Sequence, residues 1–356
     1  MTKLILVINP GSTSTKLAIF DDTHNIKTEV LRHDPAKIKS FKKIVDQKQY
    51  RTDLISDFLK QNNINTKNLA AVVARGGLLH PMSSGTYLVN EAMIKDLSSG
   101  FYGEHASNLG GIIAYEYSQT YNIPAFIVDP VVVDELSDIA RVSGTDLFQR
   151  KVIFHALNHK AVARRYAKEQ NKQYEELDLI VCHLGGGITI GWHHLGKVID
   201  VNDGLGGDGP FSPERAGGVP AFPLIDICFD GKLSKQDIQK HLVGNGGLMA
   251  YLGTSDIRSI EEKSIQGDKK CDFYIKAMAY QVAKEIGSLY FAANYKIDQL
   301  IITGGIAYSK LFIKYLLSHF NASVKYTIYP GEDEMQALLD GALRVLNKQE
   351  LVKIYK

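Results

Sequence analysis

Apolar runs broken by glycine- and hydroxyl-rich turns set the rhythm of this chain. Leu4-Ile-Leu-Val-Ile8 is a continuous apolar run of strand length that stops at Asn9-Pro-Gly-Ser-Thr-Ser14. Lys16-Leu-Ala-Ile-Phe20 follows and ends at Asp21-Asp22, so the segment predicts a β-hairpin with a turn-prone, hydroxyl-rich tip. About half a chain later the design returns: Leu179-Ile-Val-Cys182 leads into His183-Leu-Gly-Gly-Gly187, then Ile188-Thr-Ile190, with Gly196-Lys-Val-Ile-Asp200 as a third strand. Two similar hairpins point to an internal duplication, with two related α/β lobes facing each other across a cleft. Helical periodicity marks Asn158 to Gln170 and Ala277 to Asn294, the latter with Lys284-Glu285 opposite an apolar face. Leu300-Ile-Ile-Thr303 is another buried strand and runs straight into Gly304-Gly305. Pro330 to Leu346 reads as a turn, an acidic helix start and a terminal helix. No Pro/Ser-rich linker interrupts the chain, and the lobes are expected to join near residues 129 to 150.

At 356 residues the chain is long enough for two lobes of ordinary domain size. A hydrophobic share of 45% against 22% charged is that of a folded globular protein. The formal net charge of +2 gives no electrostatic case for nucleic acid or for an anionic membrane surface. Small anionic substrates would have to be drawn by local arginines. Cys182, Cys228 and Cys271 are too few and too scattered for a disulfide framework or a zinc site, and read as reduced thiols of a cytoplasmic protein. The first apolar run is too short for a signal-peptide core, and no stretch approaches a membrane span.

Three turns at strand ends carry candidate chemistry: Asn9 to Lys16, His183 to Gly187 and Thr303 to Ala307. Backbone N–H groups in such turns can converge on phosphate oxygens. Each alone is also just a turn; three at the ends of strands are harder to dismiss. Gly11 to Lys16 lacks the first glycine and the final Ser/Thr of a P-loop, and no dinucleotide fingerprint follows the first strand. Arg75 follows the buried-strand run Leu69 to Ala74, Arg215 lies in the rigid loop Pro210 to Gly218, and Asp129 ends the run Ala125 to Val128. A buried ion pair and a binding role both fit each of them. Arginines on rigid loops suit recognition of carboxylate and phosphoryl oxygens. His105, His155 and His183 each fit a structural hydrogen bond or a site role. His155 and His159 would share a helix face, yet no third ligand accompanies them and a zinc site is rejected. Glu332, Asp333 and Glu334 open the terminal helix, where they complement its dipole or serve Mg²⁺.

Taken in order, these segments resemble the acetate and butyrate kinase family, a branch of the sugar-kinase, heat-shock-ATPase and actin superfamily, along essentially the whole chain. Beside the turns above, the resemblance rests on Ala74-Arg-Gly-Gly-Leu-Leu79, Gly103-Glu-His-Ala-Ser-Asn-Leu-Gly110, Phe126-Ile-Val-Asp-Pro-Val-Val-Val-Asp134, Phe154-His-Ala-Leu-Asn158, Gly209-Pro-Phe-Ser-Pro-Glu-Arg215 and Pro330-Gly-Glu-Asp-Glu-Met335. It is nearest the butyrate branch: acetate kinases are longer and usually carry a histidine where this chain has Ala74. Gly207-Asp208 stands where butyrate kinases often have Gly-Glu.

The resemblance implies two actin-like (ribonuclease H-like) lobes, 1–128 plus 334–356 and 129–333, with ATP in the cleft between them. It implies ATP and Mg²⁺ as cofactors and phosphorylation of a short-chain fatty acid, butyrate first. Asn9, Ser12, Ser14 and Lys16 would form the first phosphate loop; His183, Gly185, Gly186 and Gly187 the second. Gly304, Gly305 and Ile306 would hold the adenosine, helped by Ser255, Asp256 and Arg258. Arg75 and Arg215 would clamp the acid and the moving phosphoryl group, with His105 also at the acid and His155 donating to the phosphoryl group. Asp129 would orient the arginines or a metal-bound water; Asn9, Asp129 and Glu334, or Asp333 beside it, would serve Mg²⁺. The implied partners are the acid and ATP/ADP, with a homodimer or larger homo-oligomer and neither nucleic acid nor membrane. Competing expectations are a kinase for isobutyrate, propionate or acetate, a sugar or polyol kinase, which would need a carboxylate base, and a non-enzymatic ATP-binding switch, which would not need Arg75, Arg215 and His155.

Overall fold

The computed structural model of the chain describes residues 4–356. Along them run β1 Leu4–Pro10, β2 Ser14–Asp21, β3 His24–Arg32, β4 Leu69–Arg75, β5 Thr86–Leu88, β6 Ala125–Val128, β7 Asp178–Leu184, β8 Ile188–His194, β9 Lys197–Val201, β10 Gln299–Gly304, β11 Tyr326–Pro330 and β12 Lys353–Ile354. They form one sheet in the order β12-β5-β6-β4-β1-β2-β3 and another in the order β11-β10-β7-β8-β9. The chain divides into two compact units, one reaching to Val133 and including Asp333–Lys356, the other Asp134–Glu332. Each unit holds one sheet.

The two sheets repeat a five-strand plan. In the first unit β1–β2 and β2–β3 are antiparallel, whereas β1–β4 and β4–β6 are parallel. In the second unit β7–β8 and β8–β9 are antiparallel, whereas β7–β10 and β10–β11 are parallel. The duplication read from the two hairpins is therefore written into the pairing of the strands.

Burial follows from strand pleat and helix period. All seven residues of β1 are buried, as a strand covered on both faces requires. In β7 and β10 the faces alternate: Leu179, Val181 and Ile301 pack with Val162, Ala163 and Ala167 of helix Ala156–Glu169. Ile180, Cys182, Leu300 and Ile302 instead meet Ile275, Met278, Val282 and Ile286 of helix Lys269–Ala292, which recur at three- and four-residue spacing. In the first unit helix Lys48–Gln61 turns Arg51, Ile55, Phe58 and Leu59 inward. No helix among the described residues is long and apolar enough to cross a membrane.

One charged contact fixes the helix that begins beside His155. Lys160, with no exposed side-chain surface, donates to Glu135 Oε2 at 2.7 Å and to the Gly196 carbonyl at 2.8 Å. Glu135 Oε2 also accepts from the Val198 N–H at 2.9 Å, so the pair ties the helix to β9. Lys160→Ala removes the ammonium that faces a buried carboxylate and is expected to cost about 3–5 kcal/mol in urea unfolding. Lys160→Met combined with Glu135→Gln is expected to cost less than the single alanine, because no buried charge is stranded.

Acid stability follows from three buried histidines. Burial first, and the nearby Arg51 charge second, lower His33 to about 4. Burial likewise holds His159 and His193 well below the ordinary imidazole value. All three are neutral in the fold and take up protons when the chain unfolds. The stability they contribute is present above pH ~6.5 and is lost as pH falls through the window down to their folded values, ending for His33 near 4. Urea midpoints are expected to fall from pH 6.5 to 4, and His33→Gln to flatten that slope by about 2 kcal/mol.

Candidate active site

The first hairpin closes tightly. Asn9 faces Lys16 and Pro10 faces Thr15 across the ladder, and the Gly11 N–H donates to the Ser14 carbonyl at 2.7 Å. Ser12 and Thr13 at the tip are exposed. Beneath the tip lies Arg51, fully buried, which the sequence reading overlooked. Its Nη1 donates to the Gly11 carbonyl at 2.8 Å and to Thr15 Oγ1 at 3.0 Å, while Nε and Nη2 donate to Gln47 Oε1 at 3.2 and 2.8 Å. None of these acceptors is a carboxylate. Burial lowers the Arg51 guanidinium to about 10, so it stays charged at neutral pH, directly behind the loop. The signal that could have found it is its spacing: Arg51 stands four residues before Ile55 on the buried stripe of its helix.

Three residues nominated separately in the sequence meet in the first unit. Asn9 Nδ2 donates to Glu334 Oε2 at 2.6 Å, and Arg75 Nη1 lies 3.0 Å from Glu334 Oε1. Asn9 is held by β1 and Arg75 by the end of β4, strands paired in parallel, and Glu334 opens helix Glu334–Leu346. The arrangement leaves Asn9 Oδ1 uncommitted to this pair and holds the Arg75 guanidinium at a set position. Asp129 directly follows β6 with a φ of 38°, a strained value for a residue with a side chain, and its Oδ1 accepts from the Gly85 N–H at 2.6 Å. His105 Nδ1 accepts from the Ser107 N–H at 3.2 Å, with Ser107 Oγ at 2.8 Å, which puts the ring proton on Nε2. His105 keeps solvent access, yet desolvation first and the Arg75 charge second lower its pKa.

The second unit builds its own cluster around β7 and β8. His183, 1% exposed, offers Nδ1 to Asn158 Oδ1 at 2.8 Å and sets Nε2 3.1 Å from Glu332 Oε1. His155 stacks on its ring at 3.8 Å between centroids and 13° between planes. The hairpin tip is Gly185 to Gly187, closed by the Gly185 N–H donating to the Gly187 carbonyl at 3.1 Å. Ser212 Oγ donates to the Gly186 carbonyl at 2.6 Å, anchoring the loop that carries Arg215. Arg215 Nη1 donates to the Gly204 carbonyl, and a Cβ on Gly187 would overlap that same nitrogen, so only glycine lets the guanidinium lie on the tip. Burial lowers the Arg215 pKa, with Glu214 and Asp203 acting in the opposite sense.

The remaining nominees fall into place unevenly. Gly305 borders open space, while the Ile306 side chain is 3% exposed in the core, so any ligand contact there would come from its backbone. Ser255 Oγ donates to Glu214 Oε1 at 3.1 Å, and Asp256 caps helix Ile257–Ile265 by accepting from the Arg258 N–H at 3.2 Å. The acidic triplet divides its work: Glu332 lies against His183, Glu334 holds Arg75 and Asn9, and Asp333 occupies the N-cap position. His159 turns away from any ligand role, toward Thr189 and His193. Among the described residues no group of three His, Cys, Asp or Glu side chains could hold a metal by itself.

Comparison with known proteins adds to this geometry. The family model described as the Acetokinase family matches residues 137–323, more than half of the chain. Among solved structures, acetate kinase of Porphyromonas gingivalis superposes with a TM-score of 0.79 at 18% identity, covering 97% of this chain and 100% of that one. A propionate kinase from Francisella tularensis subsp. tularensis SCHU S4 gives 0.75 at 20% identity, covering 95% and 98%. Acetate kinase from Entamoeba histolytica gives 0.74 at 18%, covering 96% and 99%. The fold is thus the actin-like fold of these kinases, mixed α/β with two sheets.

Proposed function

This chain belongs to the Acetokinase family of carboxylate kinases, and from that premise we propose that it phosphorylates butyrate, butyrate + ATP giving butyryl phosphate + ADP, reversibly and by direct transfer. The observation that carries the reading is the Asn9–Glu334–Arg75 cluster, which fixes a guanidinium beside a hairpin tip rich in donors. A carboxylic acid with a pKa near ~4 is ionised at pH 7, so the nucleophile needs no general base. It needs relief from repulsion by the triphosphate, and positioned cations and donors supply that.

In this reading Arg75 and the Nε2–H of His105 hold the acid carboxylate. Its oxygen forms a bond to the γ-phosphorus as the bond to the β,γ-bridging oxygen breaks, and ADP leaves. Arg215 and His155 meet the negative charge spread over the equatorial oxygens. Ser12, Ser14 and Lys16 of the first tip and Gly185 to Gly187 of the second offer donors to phosphates, with Arg51 adding positive potential from behind the first tip. The backbone at Gly304 to Ile306, with Ser255, Asp256 and Arg258, serves the adenosine. Family members use ATP and Mg²⁺; here Asn9, Asp129 and Glu334 or Asp333 would hold the ion, which neutralises phosphate charge when bound. A cytosolic setting belongs to the same proposal.

Butyrate over smaller acids rests on the ordered match to the butyrate branch and on Ala74. That side chain is fully buried in the first unit's core, so it would shape an acyl pocket through packing. Acetate and propionate, the acids in the names of the similar structures, are the competing substrates. The test is kcat/KM from ADP release with acetate, propionate, butyrate, isobutyrate and valerate. Butyrate is expected to lead acetate by about 10-fold or more, since a pocket gains ~1–3 kcal/mol per methylene. Acetate or propionate in the lead would overturn the choice of acid and leave the reaction class standing.

A further inference from the structure

A buried hydrogen-bonded chain ends on the histidine assigned to the phosphoryl group. Tyr174 OH lies 2.7 Å from His193 Nδ1, and His193 Nε2 lies 3.2 Å from His159 Nδ1. His159 Nε2 lies 2.9 Å from Thr189 Oγ1, and the same hydroxyl lies 2.9 Å from His155 Nδ1. His159, His193 and Thr189 have no exposed surface, and Tyr174 has 4%. The chain crosses from helix Ala156–Glu169 through β8 to the turn before β7. The assigned reaction asks nothing of four of its five members.

We propose that Tyr174, His193, His159 and Thr189 are positioning residues that set the tautomer of His155, leaving its ring proton on Nε2. Each central imidazole uses both nitrogens, and a neutral imidazole has one proton, so donation at one nitrogen means acceptance at the other. Burial keeps His159 and His193 neutral. Protons therefore run one way from Tyr174 to the Thr189 hydroxyl, which, when it accepts from His159, has its own proton to give to His155 Nδ1. If Tyr174 O–H donates to His193, then His193 Nε2–H donates to His159 and His159 Nε2–H donates to Thr189. Thr189 O–H then donates to His155 Nδ1, and the His155 proton resides on Nε2. The reverse order puts it on Nδ1 and leaves Nε2 an acceptor, useless toward an anionic phosphoryl group.

The phenol decides the direction. Lys160 Nζ lies 5.4 Å and Arg164 Cζ 5.7 Å from the Tyr174 ring centroid, and cations over the ring make its hydroxyl a better donor. His159 and His193 stack at 5.4 Å and 12°, which holds the central link in register.

The inference rests on the reading of His155 as a phosphoryl donor, and its test is spectroscopic so that the two can fail separately. In histidine-¹⁵N-labelled protein, long-range ¹H–¹⁵N spectra are expected to show His155 as the Nε2–H tautomer. Tyr174→Phe and the isosteric Thr189→Val are expected to turn it into a mixture. Turnover should fall about 3–10-fold in Tyr174→Phe and about 10-fold or more in Thr189→Val, with KM for ATP and acid within about twofold. Thr189→Ser, which keeps the hydroxyl, is expected to restore most of what valine loses. A wild-type His155 protonated on Nδ1, or a His155 signal indifferent to both Tyr174→Phe and Thr189→Val, would overturn the proposal. The expected tautomers in a protein that phosphorylates no acid would keep the chain and discard the assigned reaction.

Discussion

Arg215→Ala is expected to lower kcat by about 10²–10³-fold, the loss seen when a pre-organised donor to developing charge is removed. The expectation comes from where Arg215 lies. Its guanidinium rests on the tip Gly185 to Gly187, is anchored by the Gly204 carbonyl, and is desolvated enough for its pKa to fall. A cation in such surroundings acts on a phosphoryl group more strongly than a solvated one, because less water screens it. Arg215→Lys should recover little, since an ammonium cannot copy the planar fork. Gly187→Ala tests the same point from the other side, because its Cβ would overlap Arg215 Nη1. The side chain can move aside, so folding should suffer little while turnover drops. Near-normal turnover in Arg215→Ala, measured at saturating ATP and acid, would remove this residue from the reaction.

The second large effect is expected at Glu334. Its two oxygens serve Arg75 and Asn9, so Glu334→Gln keeps a partner for the Asn9 amide and deletes the charge opposite the arginine. Turnover should fall about 10–100-fold, and half-maximal activity should require more Mg²⁺, as Asn9 and Arg75 lose their set positions. Asp333→Asn, titrated alongside, tells the two carboxylates apart: the variant with the larger shift in Mg²⁺ requirement marks the carboxylate that serves the ion. No change in either turnover or Mg²⁺ requirement for Glu334→Gln would reduce the cluster to a structural ion pair.

Much of the fold was legible where apolar runs end at glycine. Leu4–Ile8 and Leu300–Thr303 became β1 and β10 with only a residue or two added, because buried strands need unbroken apolar stretches and their turns need small residues. β3 escaped notice because most of its residues are exposed and its polar positions follow no period of two. Helix Lys269–Ala292 begins eight residues before the read periodicity, at the cap formed by Asp268. Helix Asn108–Tyr121 hid behind Gly110 and Gly111, poor helix formers. A Cβ at Gly110 would overlap the Arg75 carbonyl, so the glycine that weakens the local signal is what lets the helix pack on β4.

The site was legible as a set of residue types and much less as a set of contacts. Arg75 was read as either an ion pair or a binding group, and it makes the ion pair, with an acid 259 positions away whose choice no local pattern could reveal. The histidines show the same limit. A four-residue spacing put His155 and His159 on one helix face, but His155 stands outside helix Ala156–Glu169 at its N-cap, and which way each ring turns depends on Thr189 and His193 in β8.

The central claim, transfer of the γ-phosphoryl group of ATP to the carboxylate of butyrate, is tested most directly by trapping the product with hydroxylamine in the presence of ATP and Mg²⁺. The account predicts butyrate-dependent butyryl hydroxamate in step with ADP release, and its near-absence in Arg215→Ala. ADP release without hydroxamate, or no product with any short-chain acid from protein that binds ATP, would contradict it.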